Sequence, residues 1–506
     1  MKRVSALFTN NKLISECTII GNSDPLVGNI SFVASEIDKG GIYIAVVGLN
    51  VDGHIFIEQA ISNGAVAIIH SNNLEYYDPT ITYIKHPNVR LVASHLASNL
   101  EKPVVENVIG ITGTDGKSTT SQFLWQILNR ANHKSALLTS VTYDDGSGAK
   151  SSPFAQSTPE APTLHKFLNS CYKNRVKSVI LESTSHALSD EGSRLKDITF
   201  NGAIYTTFTN EHMEFHKTLG NYLDAKLNLA RQLNENSFVV MPYNFVNKKE
   251  VLFVIPSDVK VGFYSLDNYI DDGVLNAKSV EVGFGYRKVQ LIDPETKKSY
   301  LIEIPYGEDV YTKNLLAAIL ASKYHLNLSW PEVFEKANKI EKVKGRFETI
   351  EFDKRTVVID FAHTIDSFEK IFNHAKKFLN GGRIIAVFGS AGERDRAKRF
   401  PMGRLAANNC DIIYLSDEDP RNEDPHQIIE DLYQGIISTG EKVPTYKILD
   451  RKTAIREALL NSKPNDIILL LAKGHEQRIL YPDKKIWWDE KEIAMQLIKE
   501  LGFSYE

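Results

Sequence analysis

Short apolar segments rich in β-branched residues alternate with longer amphipathic segments along most of the chain. The apolar segments are GIYIAVVG (41–48), VVENVIGIT (104–112), SVILES (178–183), GAIYTTF (202–208), TVVIDFA (356–362), RIIAVFG (383–389), DIIYLS (411–416) and DIILLLAK (466–473). This alternation is typical of domains in which helices cover largely parallel sheets. We therefore predict an α/β fold.

Two segments have a more specific pattern. In KSTTSQFLWQILNRA (117–131) the apolar residues recur at helical spacing, which predicts a strand, a loop and a helix between residues 104 and 131. Between residues 264 and 310, the segments VEVGFGYRKVQLI and SYLIEIP flank the turn-forming DPETKK. This arrangement predicts a local antiparallel hairpin inside or beside the central sheet.

The chain has 506 residues, too many for one hydrophobic core. At about 150 residues per domain, three domains are expected. We predict boundaries near residue 105, before the loop strand, and near residue 345, in the charged run EKANKIEKVKGRFE. The predicted domains are residues 1–105, 106–345 and 346–506.

Composition excludes several classes of protein. The net charge is −4 with both signs interspersed, so no field favours nucleic acid or an anionic membrane. Cys17, Cys171 and Cys410 lie far apart in sequence, which argues against disulfides or a zinc site and fits a reducing compartment. Because the chain has neither a signal peptide pattern nor a run of about 18 apolar residues, we expect a soluble cytoplasmic protein.

The stretch GTDGKST (113–119) has the residues that a phosphate-binding loop needs. Its glycines permit unusual backbone angles, N–H groups converge at a helix N-terminus, Lys117 can reach terminal phosphates and Ser118 can hold Mg²⁺. The loop pattern G-x-x-x-x-G-K-[ST] would require glycine where Ile111 stands. An ordinary glycine-rich turn is the alternative.

Candidate metal ligands follow the next two apolar segments. Glu182 ends the apolar run in LESTSHAL, and Glu211, His212 and His216 lie in TNEHMEFH. Ligands bind at the carboxyl ends of parallel strands, so Glu182 and His212 could meet near the same phosphates. Alternatively, Glu182 supports a helix N-terminus, His212 is a polar loop residue, and Lys226 in NYLDAK is a solvated surface lysine.

These residues resemble the Mur ligase family, ATP-dependent amide-bond ligases of peptidoglycan synthesis, whose loop G-T-[DN]-G-K-[ST] requires no glycine at Ile111. The further motifs are E-x-x-S-H-x-L (182–188), E-H-M-E-F-H (211–216), A-K (225–226), G-R-x-E (345–348), D-F-A-H-T-x-D (360–366), G-x-x-G-x-R-D-R-x-K-R (389–399), D-P-R-x-E-D-P (419–425) and K-G-H-E (473–476). The chain most resembles the MurE branch, the UDP-N-acetylmuramoyl-tripeptide synthetases. The resemblance implies a UDP-substrate-binding first domain, a central P-loop-type ATPase domain and a C-terminal Rossmann-like domain that binds the amino acid.

The resemblance also implies roles for individual residues. The implied ATP-binding residues are Gly113, Thr114, Asp115, Gly116, Lys117, Ser118, Thr119, Asn314, Arg346, Asp360 and His363. The implied metal ligands are Ser118, Glu182 and His212, the implied catalytic residues are Lys117, Lys226 and His212, and Lys226 matches a lysine that becomes carbamylated. The implied substrate-binding residues are Ser157, Thr158, Ser185, Arg194, Arg394, Asp419, Arg421 and Glu476.

The activity that the resemblance implies uses ATP and Mg²⁺ to join a diamino acid to UDP-N-acetylmuramoyl-L-alanyl-D-glutamate, in a monomer that binds neither nucleic acid nor membrane. Three departures from the family pattern stand out: Thr207 replaces an asparagine, Val33-Ala34-Ser35 replaces D-S-R, and Asp419 replaces an asparagine. A carboxylate at 419 favours an amino acid with a terminal ammonium, lysine or ornithine, whereas Arg421 is compatible with meso-diaminopimelate.

Three alternatives remain. A folylpolyglutamate synthetase shares the loop, but it should lack the first domain and the D-P-R and K-G-H-E motifs. Another Mur branch would add a single amino acid or a dipeptide, which the arginine-rich GERDRAKR and DEDPR segments disfavour. A non-catalytic Mur-like protein would have lost Lys117, Glu182, His212 or Lys226, and all four are present.

Overall fold

A computed structural model describes residues 1–21, 24–48, 51–154, 156–209, 211, 213–271 and 273–505. In chain order the strands are β1 Lys2–Arg3, β2 Thr18–Ile20, β3 Leu26–Val27, β4 Asn29–Ser31, β5 Gly41–Ile44, β6 Ala65–His70, β7 Thr82–Lys85, β8 Val108–Thr112, β9 Ser135–Leu138, β10 Thr142–Asp144, β11 Lys150–Ser151, β12 Ser178–Glu182, β13 Phe200–Tyr205, β14 Leu233–Pro242, β15 Lys260–Leu266, β16 Leu275–Val282, β17 Arg287–Ile292, β18 Ser299–Ile304, β19 Glu348–Phe352, β20 Arg355–Asp360, β21 Ile384–Phe388, β22 Ile412–Leu415, β23 Thr445–Lys447, β24 Ile467–Leu471, β25 Arg478–Leu480 and β26 Lys485–Trp487.

The α-helices are α1 Val4–Leu7, α2 Asn11–Glu16, α3 Ile57–Ser62, α4 Val89–Leu100, α5 Lys117–Arg130, α6 Ala161–Lys173, α7 Ser185–Leu188, α8 Met213–His216, α9 Leu219–Arg231, α10 Lys248–Val254, α11 Asp309–Leu326, α12 Trp330–Ala337, α13 Ile365–Phe378, α14 Arg399–Ala407, α15 Pro425–Ile437, α16 Arg451–Leu460 and α17 Glu490–Glu500. Short 3-10 helices span Ala34–Glu36 and Gly53–Phe56. The predicted α/β fold is confirmed, and every apolar segment named above contains a strand.

The chain folds into two compact units. The first unit comprises residues 1–277, 292–298 and 313–337, and the second comprises 278–291, 299–312 and 338–506. In the described ranges, no helix combines the length and apolar character needed to cross a membrane. The thiols of the three cysteines are free, as the sequence predicts.

Besides the small antiparallel pair β1-β3, the described part of the first unit contains two larger sheets. The N-terminal sheet has the order β2-β7-β6-β5-β4, with β4 to β7 parallel and β2 antiparallel to β7. The larger sheet runs β11-β10-β9-β12-β8-β13-β14-β15-β16 and is parallel from β9 onward. Glu182 pairs in register with Ile111, and Tyr205 with Thr112. The carboxyl ends of β12, β8 and β13 therefore meet at one edge.

The helix predicted after Gly116 is α5, and its predicted apolar stripe is completely buried: Phe123, Leu124, Ile127 and Leu128. Ile111 is also completely buried, because it lies within β8 between β12 and β13. The phosphate loop begins only at Gly113. An apolar side chain at position 111 packs in the sheet, so a glycine there would serve no purpose in the loop.

The second unit has a sheet of order β19-β20-β24-β21-β22-β23. The strands β20 to β23 are parallel and β19 pairs antiparallel with β20. A fully buried ion pair, Arg451 with Glu490, joins α16 to the start of α17, and Arg451 also donates to the carbonyl of Leu471 at the end of β24.

In the predicted hairpin region, β17 and β18 are neighbours, and the Asp293 N–H donates to the Lys298 carbonyl across the turn at 2.9 Å.

Acidification below pH 6.5 is expected to destabilise the first unit through His325. The Nε2 atoms of His133 and His325 each lie 2.7 Å from the Ser178 hydroxyl, which can donate to one ring and accept from the other only if at least one ring is neutral. Burial, followed by the neighbouring His133, lowers the pKa of His325 from 6.5 to about 4.

Between pH 4 and 6.5 the unfolded chain therefore binds more protons at this position than the folded chain does. The free energy of unfolding should fall by about 2 kcal/mol between pH 7.5 and pH 5, and the contribution is complete above pH 6.5. Urea unfolding at pH 5 and pH 7.5 measures the effect. A His325→Gln variant should lose less stability on acidification, and an unchanged pH slope in that variant would contradict the assignment.

Candidate active site

The loop between β8 and α5 is shaped by two glycines with positive φ angles, +152° at Gly113 and +86° at Gly116. A Cβ atom at Gly113 would lie 1.9 Å from the Thr206 hydroxyl, and one at Gly116 would lie 2.5 Å from the Asn314 side-chain oxygen. Both positions therefore require glycine for space as well as for conformation. The loop leads directly into the first turn of α5, and a helix N-terminus is the usual setting for a bound phosphate.

The residues after β13 hold the loop in this shape. The Thr114 N–H donates to the Thr207 carbonyl at 2.9 Å, and the Asp115 N–H donates to the Thr207 hydroxyl at 2.9 Å. The Thr206 hydroxyl donates to the Asp115 carbonyl at 2.6 Å. Thr207, which replaces the family's asparagine, thus retains a side-chain acceptor for the loop backbone.

Two lysine side chains converge on one carbonyl oxygen of the loop. Lys117 Nζ donates to the carbonyls of Gly113 at 3.1 Å and Thr114 at 2.7 Å, and Lys226 Nζ donates to that of Gly113 at 2.7 Å. Lys226 is only 2% exposed, so it is not a solvated surface residue. Burial, followed by the charge of Lys117, lowers the pKa of Lys226 well below its ordinary value, against the opposing charges of Glu211 and Asp115. The surroundings of Lys226 therefore disfavour its charged form.

Ser118 and Glu182 bring hard oxygen ligands to the same edge of the sheet. The Ser118 hydroxyl donates to Glu182 Oε2 at 2.8 Å, and the Ser140 N–H donates to the same oxygen at 3.1 Å. A hydroxyl and a carboxylate are the oxygen donors that Mg²⁺ prefers, so this pair fits such an ion. In the part of the chain that the structure describes, no group of three or more His, Cys, Asp and Glu residues could hold a metal. His212, the third predicted ligand, lies outside the described residues.

The predicted substrate-binding residues of the first unit surround the end of β12. The buried Thr158 hydroxyl donates to the Glu182 carbonyl at 2.7 Å, and Arg194 donates to the Thr158 carbonyl at 2.9 Å and to Glu160 at 2.9 Å. Arg194 therefore fixes the segment at 158–160. The Ser185 hydroxyl lies 2.9 Å from Nε2 of His216. Ser157, which precedes this segment, is half-buried.

In the second unit, Asp360 supports the loop that carries Arg346. Its carboxylate accepts from the Phe347 and Ala362 N–H groups at 2.8 and 2.7 Å, and from the Tyr311 hydroxyl at 3.1 Å. Burial raises the pKa of Asp360. The Phe361 ring lies against the Arg346 guanidinium, 4.7 Å from the ring centroid, and against His363, with ring centroids 4.6 Å apart.

The residues expected to bind the amino acid form a charged cluster in the second unit. The Lys473 ammonium donates to Asp419 at 2.8 Å and to Glu476 at 2.6 Å, and Asp419 also accepts from the Leu480 N–H at 3.1 Å. The Asp419 carboxylate is therefore already paired within the chain. The preceding residue, Glu418, is only 7% exposed, and burial raises its pKa to about 7.

The two predicted arginines of this unit differ in setting. Arg421 has a positive φ of 55°, and its backbone N–H donates to the Leu480 carbonyl at 2.9 Å. Among the residues that the structure describes, its buried Nε atom has no hydrogen-bond partner, which leaves a donor for a ligand or a water molecule. Arg394 lies on the exposed segment before α14.

Sequence reasoning missed Ser140, Tyr222 and Glu418 as members of these sites. Tyr222 precedes Lys226 by four residues on α9, a spacing that places both on one helix face and could have been noticed in NYLDAK. Glu418 directly precedes the D-P-R motif. Ser140 carries no motif, and only its hydrogen bonds to Ser118 and Glu182 identify it.

Comparison with known proteins agrees with this geometry. A family model described as the Mur ligase middle domain matches residues 111–322, and one described as the Mur ligase, glutamate ligase domain matches residues 345–474. The UDP-N-acetylmuramyl-tripeptide synthetase of Borreliella afzelii is 34% identical, covering 95% of each chain. That of Treponema denticola is 32% identical, covering 96% of each.

A solved structure of a UDP-N-acetylmuramoyl-L-alanyl-D-glutamate–2,6-diaminopimelate ligase superimposes with a TM-score of 0.60 and 25% identity, covering 94% of this chain and 95% of that one. The sequence relatives extend over nearly the full length, and the family models span the phosphate loop, Glu182, Lys226 and the first two residues of the K-G-H-E motif. The chain therefore belongs to the Mur ligase family, as an ATP-dependent ligase of the UDP-N-acetylmuramyl-tripeptide synthetase type.

Proposed function

We propose that the protein joins a diamino acid to the D-glutamyl γ-carboxylate of UDP-N-acetylmuramoyl-L-alanyl-D-glutamate, in peptidoglycan precursor synthesis, through an acyl phosphate. The convergence of Lys117, Ser118, Glu182 and Lys226 at one edge of the larger sheet carries this proposal. We further propose a cytoplasmic monomer with domains at 1–105, 106–345 and 346–506.

In the first step, a γ-carboxylate oxygen attacks the terminal phosphorus of ATP, and the bond to the ADP oxygen breaks. In the second step, the amine attacks the acyl carbon and loses a proton, and the carbon–oxygen bond to phosphate breaks. No protein nucleophile is required. Lys117 would turn from the Gly113 and Thr114 carbonyls towards the phosphates, where its charge stabilises the transferring phosphoryl group.

Mg²⁺ fits this site as a second source of positive charge. Ser118 and Glu182 would hold the ion, exchanging the hydrogen bond between them for coordination. When bound, Mg²⁺ neutralises phosphate charge and orients the terminal phosphate. His212 stays a proposed ligand.

We also propose that Lys226 is carbamylated. Only a neutral amine adds to carbon dioxide: the nitrogen lone pair forms the N–C bond, one C=O electron pair moves to oxygen, and the nitrogen releases a proton. The burial of Lys226 and the charge of Lys117 favour that neutral form. The product is an anion beside the phosphate loop, which gives a buried lysine a reason to point into a cation site.

For the incoming amino acid we propose lysine or ornithine. The support comes from Glu418, because Asp419 and Glu476 are both already bonded to Lys473. Burial, opposed in part by Lys398, raises the pKa of Glu418 to about 7, and an arriving ammonium would favour its charged form. Arg421, with its unpartnered Nε, suits the α-carboxylate.

The decisive test is phosphate release from ATP with the UDP-dipeptide, offering lysine, ornithine and meso-diaminopimelate in parallel with bicarbonate and Mg²⁺ present. Turnover that requires both the dipeptide and one amino acid supports the ligase. If none of the three amino acids gives phosphate release, in a protein that still binds ATP, the result would favour a Mur-like protein without catalytic activity. Turnover with meso-diaminopimelate alone would overturn the ammonium assignment.

A Glu418→Gln variant is expected to use lysine or ornithine at least about 10-fold less efficiently, because a charged contact to the side-chain ammonium is lost. An Asp419→Asn variant is the control, since an asparagine oxygen can still accept from Lys473 and from the Leu480 N–H. The kcat/KM for each amino acid is the measurement. A larger loss of kcat/KM in Asp419→Asn than in Glu418→Gln would show that Asp419, and not Glu418, determines which amino acid is used.

A further inference from the structure

Tyr222 lies between the phosphate loop and Lys226. It is completely buried on α9, one helical turn before Lys226. The Lys226 Nζ atom lies over its ring, 4.5 Å from the centroid, and its hydroxyl lies 3.2 Å from the Thr114 hydroxyl. One side chain thus contacts both the loop and the buried lysine.

The direction of the hydroxyl contact follows from the other bonds of Thr114. The Thr114 hydroxyl donates its one proton to the Thr209 carbonyl at 3.1 Å and accepts from the Thr209 N–H at 2.9 Å. Tyr222 must therefore be the donor to Thr114. Because Thr114 keeps both bonds to Thr209 without the phenol, removing the Tyr222 hydroxyl should loosen the loop without leaving the Thr114 hydroxyl unpaired.

Two further aromatic side chains contact the ring. Phe208 stacks on it with centroids 5.3 Å apart, and His216 contacts it at 5.2 Å. A ring held in this way restricts the rotamers of the lysine that lies on it. The ring therefore keeps the Lys226 nitrogen within bonding distance of the Gly113 carbonyl.

We propose that Tyr222 is a positioning residue, whose ring places the Lys226 nitrogen beneath the phosphate loop for reaction with carbon dioxide and whose hydroxyl fixes the loop at Thr114. This inference rests on the proposed carbamylation of Lys226. The ring and the hydroxyl of Tyr222 therefore have separate roles, and substitutions can remove the hydroxyl alone or the ring with it.

Tyr222→Phe removes the hydroxyl and Tyr222→Leu removes the ring as well. With ¹³C-bicarbonate, the wild-type protein should give a carbamate ¹³C NMR signal that Lys226→Met lacks. Tyr222→Phe should keep that signal and raise the KM for ATP about 3- to 10-fold with kcat nearly unchanged. Tyr222→Leu should lose most of the signal, and its kcat should fall at least about 10-fold and become more dependent on bicarbonate.

Tyr264→Phe is a matched control, because Tyr264 is a buried tyrosine of the same unit outside this site. A wild-type carbamate signal and bicarbonate response in Tyr222→Leu would overturn the role of the ring. If Tyr222→Leu does not fold, a double-mutant cycle of Tyr222→Phe with Thr114→Val on ADP affinity decides, since strict additivity would refute the coupling. A wild-type protein that forms the carbamate but releases no phosphate would refute the ligase proposal while leaving the Tyr222 assignment intact.

Discussion

Replacing Lys117 with alanine is expected to reduce phosphate release by at least about 10³-fold while the protein stays folded. The side chain carries the loop's mobile positive charge, and its bonds to the Gly113 and Thr114 carbonyls are contacts that it can exchange for phosphate oxygens. A fixed cation at the transferring phosphoryl group is worth several kcal/mol of transition-state stabilisation. Phosphate release with the UDP-dipeptide and each amino acid measures the loss.

The matched control is Lys249→Ala, which removes an exposed lysine on α10 of the same unit and should leave turnover unchanged. Circular dichroism and the urea midpoint should be close to wild type in both variants, because Lys117 is bonded only to carbonyls of its own loop in the contacts described above. Near-normal ligation by Lys117→Ala would contradict the site assignment. Retained ADP binding with lost turnover would show that the lysine acts mainly in the transition state.

Replacing Lys226 with methionine is expected to lower kcat by at least about 10²-fold, with a smaller effect on stability. Methionine is similar in length and apolar, so it suits a position that is 2% exposed and penalises a buried charge. It cannot form a carbamate, so the proposed anion beside the phosphate loop is lost. The measurement is kcat in buffer with and without added bicarbonate.

Wild-type protein should lose activity in carbon dioxide-free buffer and regain it with bicarbonate, whereas Lys226→Met should respond to neither. Lys226→Arg tests the charge itself: an arginine keeps a cation at this position but is not deprotonated, so it forms no carbamate. We expect it to be at least as inactive as Lys226→Met. A fully active methionine variant would show that the lysine has a structural role only.

Much of the fold could be predicted from local sequence patterns. Apolar β-branched runs become strands because their side chains are buried on both faces of parallel sheets, and the stripe of α5 predicts a helix because its period matches 3.6 residues per turn. The loop glycines, Lys117 and Ser118 are adjacent in sequence, so their chemistry is also local. Glu182 could be placed because a parallel sheet brings strand ends to one edge.

Contacts between distant segments could not be predicted. From its helical position alone, Lys226 is most simply a solvated surface lysine, and only the packing of α9 against β8 and β13 buries its side-chain nitrogen beside Gly113. Asp419 reads as a free carboxylate, yet Lys473, 54 residues later, neutralises it. Such pairings depend on which segments the fold brings together, and no periodicity encodes them.

The sequence by itself therefore determined the α/β class, the phosphate loop and the ligase family, because each depends on local spacing or on a series of short motifs. Only the tertiary structure decided the pairing of Ser118 with Glu182, the burial that lowers the pKa of Lys226, and the place of Tyr222 between the loop and that lysine. It is also the reason why Glu418, and not Asp419, is the proposed contact for the side-chain ammonium. The physical reason is that burial and charge at one residue are set by neighbours from distant parts of the chain.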